Sequence, residues 1–268
     1  MSHAGGNVQS KGQSVVAECH RARQGRLRFR LEEFLKAVLG RVFANAQTIR
    51  WATQKPVLAQ IIEQVPHGFT AIDVGCGGGT YAIELLAPRF QRVFAIDINW
   101  DHAWMTRERA RRKGLGNIHV VVASAEQVPF KDGVADLVLC CEVLEHIRDD
   151  EAALLELSRI GRPGGRLVCS VPHPPEPHPN PAHVREGYKP AELKEKLQKA
   201  GFLVKTVRFC MFSLSRTVTR LCSVTRLPLP LLFICQIENW LSQSGVSLSN
   251  PYDVIVLARQ ERVPSFDD

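Results

Sequence analysis

Hydrophobic positions follow two different rhythms along this chain. From Leu27 onward, Leu31, Phe34, Leu35, Val38, Leu39 and Val42 recur at three- and four-residue steps, with Arg26, Arg28, Arg30, Lys36 and Arg41 among them. That spacing predicts an amphipathic helix with a basic outer face. A second helix is expected from Pro56 to Gln64. Past residue 70 the texture changes to short β-rich runs at 70–75, 92–98, 118–123, 134–141 and 166–171, separated by helical stretches at 80–87, 101–113 and 149–160. Such alternation predicts βαβ units around a parallel sheet. A Pro- and His-rich loop at 172–183 precedes a charged helix, Pro190 to Ala200, which Gly201 ends, and strand-like runs follow at 202–210 and 253–259. The stretch between those two runs is long for a bare loop and is expected to carry helices.

Composition narrows the class. With 268 residues, 45% hydrophobic and 23% charged, the chain has enough apolar material for a sizeable core and does not read as disordered, collagen-like or coiled-coil. Residues 1–14 are the exception, being mostly Gly, Ser, Gln and Asn, and no fold is expected there. The longest apolar run, Leu227 to Cys235, is interrupted by Pro228 and Pro230 and falls well short of the roughly 20 residues of a membrane-spanning helix. Eight cysteines lie scattered without a CxxC pair, which suits buried thiols in a reducing compartment and implies a cytoplasmic protein. The net charge of +7 is uneven: residues 1–50 hold nine Lys and Arg against three Glu, and the remainder holds 25 against 24. The basicity belongs to an N-terminal arm.

Candidate chemistry starts at the end of the first run, in Asp73-Val74-Gly75-Cys76-Gly77-Gly78-Gly79-Thr80, with a helix expected at once from Tyr81. Glycines there permit a tight turn and close approach of a ligand to the backbone, and the following helix presents unpaired N–H groups. A nucleotide-like ligand suits such a loop. Asp97 closes the second run, 22 residues beyond Gly75, about the spacing at which an acid meets ribose hydroxyls in dinucleotide folds. Cys76 has no adjacent base and reads as a small residue fitting the turn.

The pattern Asp73, Gly75, Gly77, Gly79 resembles the first motif of class I S-adenosylmethionine-dependent methyltransferases. The likeness continues through Ala123 to Phe130, Asp136-Leu137-Val138, Glu142-Val143-Leu144-Glu145-His146 and Arg162-Pro163-Gly164-Gly165, densely over 68–210. It implies a Rossmann-like α/β fold: a seven-stranded, mostly parallel sheet with helices on both faces and an antiparallel last strand. Residues 15–66 would form a basic helical cap and 67–268 the methyltransferase domain, with an insertion at 211–251. By the same resemblance Gly75 to Gly79, with Asp73 and Cys76, hold the methionine part of S-adenosylmethionine. Asp97 takes the ribose hydroxyls, Ile98 packs on adenine, and Ser124, Ala125 and Glu126 meet its polar edge, with Cys141 also lining the site. Where the family often carries Asp, this chain has Ser124.

Glu142, Glu145 and His146 stand at i, i+3 and i+4, which shares one face if a helix begins near Glu142. The string resembles the ExxEH segment of ubiquinone-pathway O-methyltransferases and small-RNA 2′-O-methyltransferases, where it helps bind a divalent metal. His173, His178 or His183 would complete such a set; helix capping and packing is the other reading, so the metal stays open. An imidazole ordinarily titrates near neutrality, which makes His146 the leading general base, with Glu142 or a loop histidine next. Arg50 and Trp51, just ahead of the sheet, are placed to reach the cofactor's carboxylate.

The expected activity is methyl transfer to oxygen, less so nitrogen, of a small molecule, lipid- or sugar-linked. The apolar stretch Leu227 to Trp240 reads as a lid over a greasy acceptor or as core packing of an extra helix, and the basic arm fits an anionic membrane surface, RNA or an anionic substrate. An RNA methyltransferase is the alternative, opposed by the near-neutral body. An NAD-dependent oxidoreductase is less favoured, because its third glycine position is Thr80 here. A binding module without catalysis is the remaining class.

Overall fold

A computed structural model describes residues 43–44, 46–176, 180–224, 227–228 and 230–261. The arm helix expected from Leu27 and the candidate ligand His178 lie outside the described residues. In chain order the elements are β1 (Phe43–Ala44), α1 (Ala46–Glu63), β2 (Gly68–Val74), a π-helical turn (Ala82–Leu86), β3 (Phe90–Asp97), α2 (Trp100–Arg112), β4 (Ile118–Val122) and β5 (Ala135–Cys141). A 3₁₀ turn (Leu144–His146), α3 (Asp150–Ile160), β6 (Gly161–Pro172), α4 (Pro190–Lys199), β7 (Phe202–Cys210), α5 (Ser213–Val224), β8 (Leu227–Pro228), α6 (Pro230–Gln243) and β9 (Asp253–Gln260) follow.

Seven strands form one sheet in the order β4-β3-β2-β5-β6-β9-β7. Strands β2 to β6 run parallel and β9 runs antiparallel to both neighbours, as the resemblance implied. All seven residues of β5 are buried, which explains its near-continuous apolar sequence: a central parallel strand has no solvent face. Successive side chains point to opposite faces and feed two cores. Ala71, Leu137, Leu139, Val168 and Ile255 pack toward α1, with Val218 of α5 and Cys235 of α6 in the same cluster. Ile72, Val138, Cys140, Leu167 and Val256 pack toward α3 and α4 through Leu154, Leu157, Leu193 and Leu197.

Each helix boundary has a local cause. Asn99 accepts hydrogen bonds from the Asp101 and His102 amides and starts α2; Asp149 accepts from Ala152 and starts α3. Residues 80–87, expected as a helical stretch, are helical over 80–86, Thr80 and Tyr81 leading into the π-helical turn. The helix expected from Pro56 begins ten residues earlier, at Ala46, and carries Pro56 inside. The insertion does form two helices, and Glu238 of α6 accepts from the Leu214 and Ser215 amides at 2.6 and 2.8 Å, capping α5 from outside its own sequence. Asn239 donates to the Thr53 carbonyl at 2.8 Å and ties the hairpin to α1. The six described cysteines whose side chains are placed are buried and form no disulfide.

The chain leaves β2 toward β3 on one side and returns through β5 on the other. Ligands of such open sheets bind beyond the carboxyl ends of the strands where the order reverses. That crevice collects Val74, Asp97, Cys141 and Pro172 at their strand ends.

Candidate active site

The Gly75 and Cys76 amides both donate to the Ile96 carbonyl at 2.8 Å, so the loop after β2 folds across the end of β3. Gly75, Gly77 and Gly79 take φ of +74°, +52° and +72°, a region that side chains other than glycine rarely occupy. Their surroundings differ. A Cβ on Gly75 would lie 2.2 Å from Val143 Cγ2 and one on Gly79 2.4 Å from Thr106 Cγ2, whereas one on Gly77 would meet nothing within 4 Å. Two of these glycines are required by packing; the third faces open space.

Asp97 anchors that loop. Its Oδ2 accepts from the Gly77 amide and its Oδ1 from the Asn99 amide, each at 2.8 Å, with His102 Nδ1 at 3.4 Å. Each carboxylate oxygen can accept more than one hydrogen bond, so both retain capacity toward a ligand. Asp73 lies buried beneath the loop with Oδ2 lacking a hydrogen-bond partner. Burial, helped by the charge of Asp97 and opposed by the Ala82 amide, pushes its pKa up to about 7. Burial also raises the Cys76 thiol, which removes it as a nucleophile. Ile98 is 73% exposed, and the Ala123 amide donates to the Asp97 carbonyl at 3.2 Å, bringing Ser124, Ala125 and Glu126 beside it. Ser124 Oγ accepts from the Glu126 amide at 3.2 Å.

The stretch after β5 departs from expectation. Glu142 has φ +57°, which breaks any helix there, and only Leu144–His146 form a 3₁₀ turn. Glu142, Glu145 and His146 therefore do not share a helical face. Instead Glu142 turns toward α1, where Arg50 Nη1 lies at 2.5 Å, Gln54 Nε2 donates to Oε1 at 3.0 Å and Ser170 Oγ donates to the same oxygen at 2.9 Å. Gln54 Nε2 also reaches Asp253 Oδ2 at 3.3 Å, while its Oε1 accepts from Tyr81 at 2.5 Å. Arg50 packs over the Tyr252 ring at 4.6 Å and is held by Glu142 and Asp253. Trp51 lies under Lys55 Nζ at 4.7 Å.

Glu145 is fully buried, and neither of its carboxylate oxygens has a hydrogen-bond partner. Burial, with the Glu142 charge adding to it, raises its pKa well above the usual carboxylate range. His146 is half-exposed beside it, Nε2 at 4.0 Å from Oε1. Its Nδ1 lies 2.9 Å from the Ala182 carbonyl, which can only accept, so Nδ1 is the donor there and, in the neutral imidazole, Nε2 bears the lone pair. His183 stacks edge-on at 4.6 Å between ring centroids. Glu145, His146 and His183 hold ligand atoms within 4.8 Å of one another; Glu142 and His173 do not join them. Both nitrogens of His183 already have partners, Glu176 on Nδ1 and Asn180 at 2.8 Å on Nε2.

Residues 72–169 match the family model described as a methyltransferase domain. Over that stretch the chain is similar to methyltransferase domains. A probable S-adenosylmethionine-dependent methyltransferase of Mycolicibacterium smegmatis is 33% identical over 161 residues, 58% of this chain and 60% of that protein. The ubiquinone/menaquinone biosynthesis C-methyltransferase UbiE of Brucella anthropi is 36% identical over 105 residues, 38% of this chain and 40% of that protein. The chain thus spans less than two thirds of these relatives' length. Among solved structures, an S-adenosylmethionine-dependent methyltransferase from Mesorhizobium loti superposes with a TM-score of 0.58 at 17% identity, covering 79% of this chain and all of that one, which places the fold.

The residues of the matched stretch fit S-adenosylmethionine. Gly77 leaves room where a Cβ would otherwise stand, Asp97 offers a strand-end carboxylate, and Ile98 presents an open apolar surface. Gln54, Tyr81, Ser170 and Asp253 were not signalled by any motif; Gln54 and Ser170 bond Glu142, and Tyr81 and Asp253 join that junction through Gln54, because α1 crosses the strand ends.

Proposed function

We propose that this chain transfers a methyl group from S-adenosylmethionine to a small hydroxylated acceptor. The open-sided glycine loop hydrogen-bonded to Asp97 carries this reading, since it joins a backbone cradle to a carboxylate suited to a ribose diol. In it, Gly75 to Gly79 and Cys76 surround the methionine part, and Asp73 faces its ammonium. Asp97 takes the hydroxyls, and Ile98 with Ser124, Ala125 and Glu126 borders the adenine. Cys141, at the end of β5, closes the floor.

The bound cofactor supplies an activated methyl, so the protein's task is alignment, exclusion of water and removal of one proton. His146 does the last. Its Nδ1–H is fixed on the Ala182 carbonyl, and Nε2 accepts the acceptor's hydroxyl proton. The oxyanion left behind is nucleophilic at oxygen and, in a conjugated ring, at the adjacent carbon. Both outcomes share the same proton transfer, and the names of the Brucella relatives favour carbon. Glu142, bound to Arg50, Gln54 and Ser170, holds α1 over the crevice in place of acting as a second base.

Incubation of the pure protein with methyl-labelled S-adenosylmethionine and a panel of hydroxylated benzoquinols, phenols and sugars tests the reading. Label in one class of product supports it, and magnetic resonance of that product separates methoxy from ring methyl. Tight binding of S-adenosylhomocysteine with no label transferred to any acceptor would leave a cofactor-binding module.

A further inference from the structure

His146 is held by one carbonyl, and that carbonyl is itself held. The Ala182 C=O and the His183 N–H belong to one trans peptide and point to opposite sides of it. The carbonyl faces His146 Nδ1 at 2.9 Å, and the N–H donates to the Asn180 carbonyl at 3.0 Å. One residue further on, the Val184 amide donates to the Glu145 carbonyl at 2.9 Å, which ties the same turn to the peptide that precedes His146. Residues 180–182 are exposed, and an exposed turn opens readily unless a side chain anchors it.

The anchor is His183. Its side chain is 5% exposed and that of Glu176 3%, and the Glu176 carboxylate sits on Nδ1. Asn180 fixes the direction of that bond. Its Oδ1 accepts from the Ala182 amide at 3.1 Å, so its amide nitrogen is the atom 2.8 Å from His183 Nε2. An amide nitrogen only donates; Nε2 therefore accepts, and Nδ1 carries the proton that it donates to Glu176. The anchored ring meets His146 edge-on, with centroids 4.6 Å apart and planes at 84°. One residue thus bears on both the ring plane of His146, through its side chain, and the proton position of His146, through its backbone.

We infer that Glu176 and His183 are positioning residues for His146: their buried bond holds the Ala182 carbonyl on Nδ1 and keeps Nε2 as the nitrogen with the lone pair. The catalytic consequence rests on the reading of His146 as the general base. A ring free to turn or to exchange tautomers presents its lone pair to the acceptor only part of the time, so the anchor acts on kcat and not on acceptor binding.

Nitrogen magnetic resonance of protein labelled at histidine reads the tautomer without turnover. Spectra taken at about pH 8, above the ordinary imidazole range and with a chelator present, separate protonated from bare ring nitrogens. His146, identified by the signals lost in His146→Gln, should show a protonated Nδ1 and a bare Nε2. Glu176→Leu should turn these into an average of both tautomers and lower kcat by about tenfold or more, with acceptor KM within about twofold. Glu176→Gln, whose amide oxygen still accepts from His183, should recover the single tautomer and most of the rate. Should Glu176→Leu fail to fold, Asn180→Ala, at an exposed position, removes the contacts to the Ala182 amide and to His183 Nε2 and should also mix the tautomers. A wild-type His146 with its proton on Nε2, or a tautomer that survives both Glu176→Leu and Asn180→Ala, would overturn the inference. Mixed tautomers with kcat unchanged would uphold the anchor and overturn instead the assignment of His146 as the base.

Discussion

The Gly77 amide donates to Asp97 Oδ2 at 2.8 Å, joining the one glycine of the loop with open space beside it to the acid that ends the next strand. The carboxylate thus has two tasks, holding the loop and meeting the ligand. Asp97→Ala should weaken S-adenosylhomocysteine binding by roughly 100-fold or more, the scale of a lost charge-assisted pair of hydrogen bonds. Asp97→Asn, which keeps one acceptor oxygen, should fall in between. Titration calorimetry reads both, and an unchanged affinity in Asp97→Ala would remove the residue from the site.

The three positive-φ glycines should separate by phenotype. Gly75→Ala and Gly79→Ala place a methyl inside Val143 and Thr106 and add backbone strain, so a loss of about 2–4 kcal/mol is expected in denaturant unfolding. Gly77→Ala adds only the strain, about 1–2 kcal/mol, because nothing occupies its Cβ position. Its effect should appear in cofactor affinity instead. Equal stability loss at all three positions would show that Gly77 is packed and not ligand-facing.

Much of this architecture was legible in the chain because burial on both faces leaves a mark on sequence. The run Ala135 to Cys141 reads as a central strand since every one of its residues is enclosed. The glycine loop and Asp97 were legible because their spacing is set by a single βαβ unit. The polar junction at Glu142 was not, for Gln54 stands 88 positions away and Asp253 199 from Gln54, so only the crossing of α1 brings them together. The regular spacing of Glu142, Glu145 and His146 misled for a local reason: Glu142 takes a left-handed conformation that periodicity does not register. The pairing of His146 with His183 depends on the loop after β6 folding back through the Ala182 carbonyl.

Asp73 should make both stability and cofactor binding respond to pH. Its folded pKa of about 7 exceeds the ordinary value near 4, so between those limits the folded state binds more protons than the unfolded one. Stability contributed at this site is then highest at low pH and declines as pH rises toward 7, by a few kcal/mol at most. A ligand ammonium favours the ionised carboxylate, so affinity for S-adenosylhomocysteine should rise across the same interval. Asp73→Asn keeps the shape and removes the titration; melting temperature and affinity in that variant should both lose most of their slope between pH 5 and 8. Slopes equal to wild type would place the titrating group elsewhere.

His146 and the surrounding cluster separate proton transfer from metal binding. With Nδ1 committed to Ala182 and Nε2 bearing the lone pair, His146→Ala should lower kcat by about 10²–10⁴ while S-adenosylhomocysteine affinity stays within a factor of about two. An effect confined to KM would make the residue a substrate contact only. The neighbouring His183 has both ring nitrogens engaged, by Glu176 and Asn180, and would need to release Asn180 before it could ligate an ion with Glu145 and His146. A strong chelator, followed by metal analysis of the pure protein, is therefore expected to leave the rate unchanged. Loss of activity on chelation, restored by one divalent cation and absent in a His183→Asn variant, would instead convert the unpartnered Glu145 carboxylate into a metal ligand and the imidazole beside it into part of the coordination sphere.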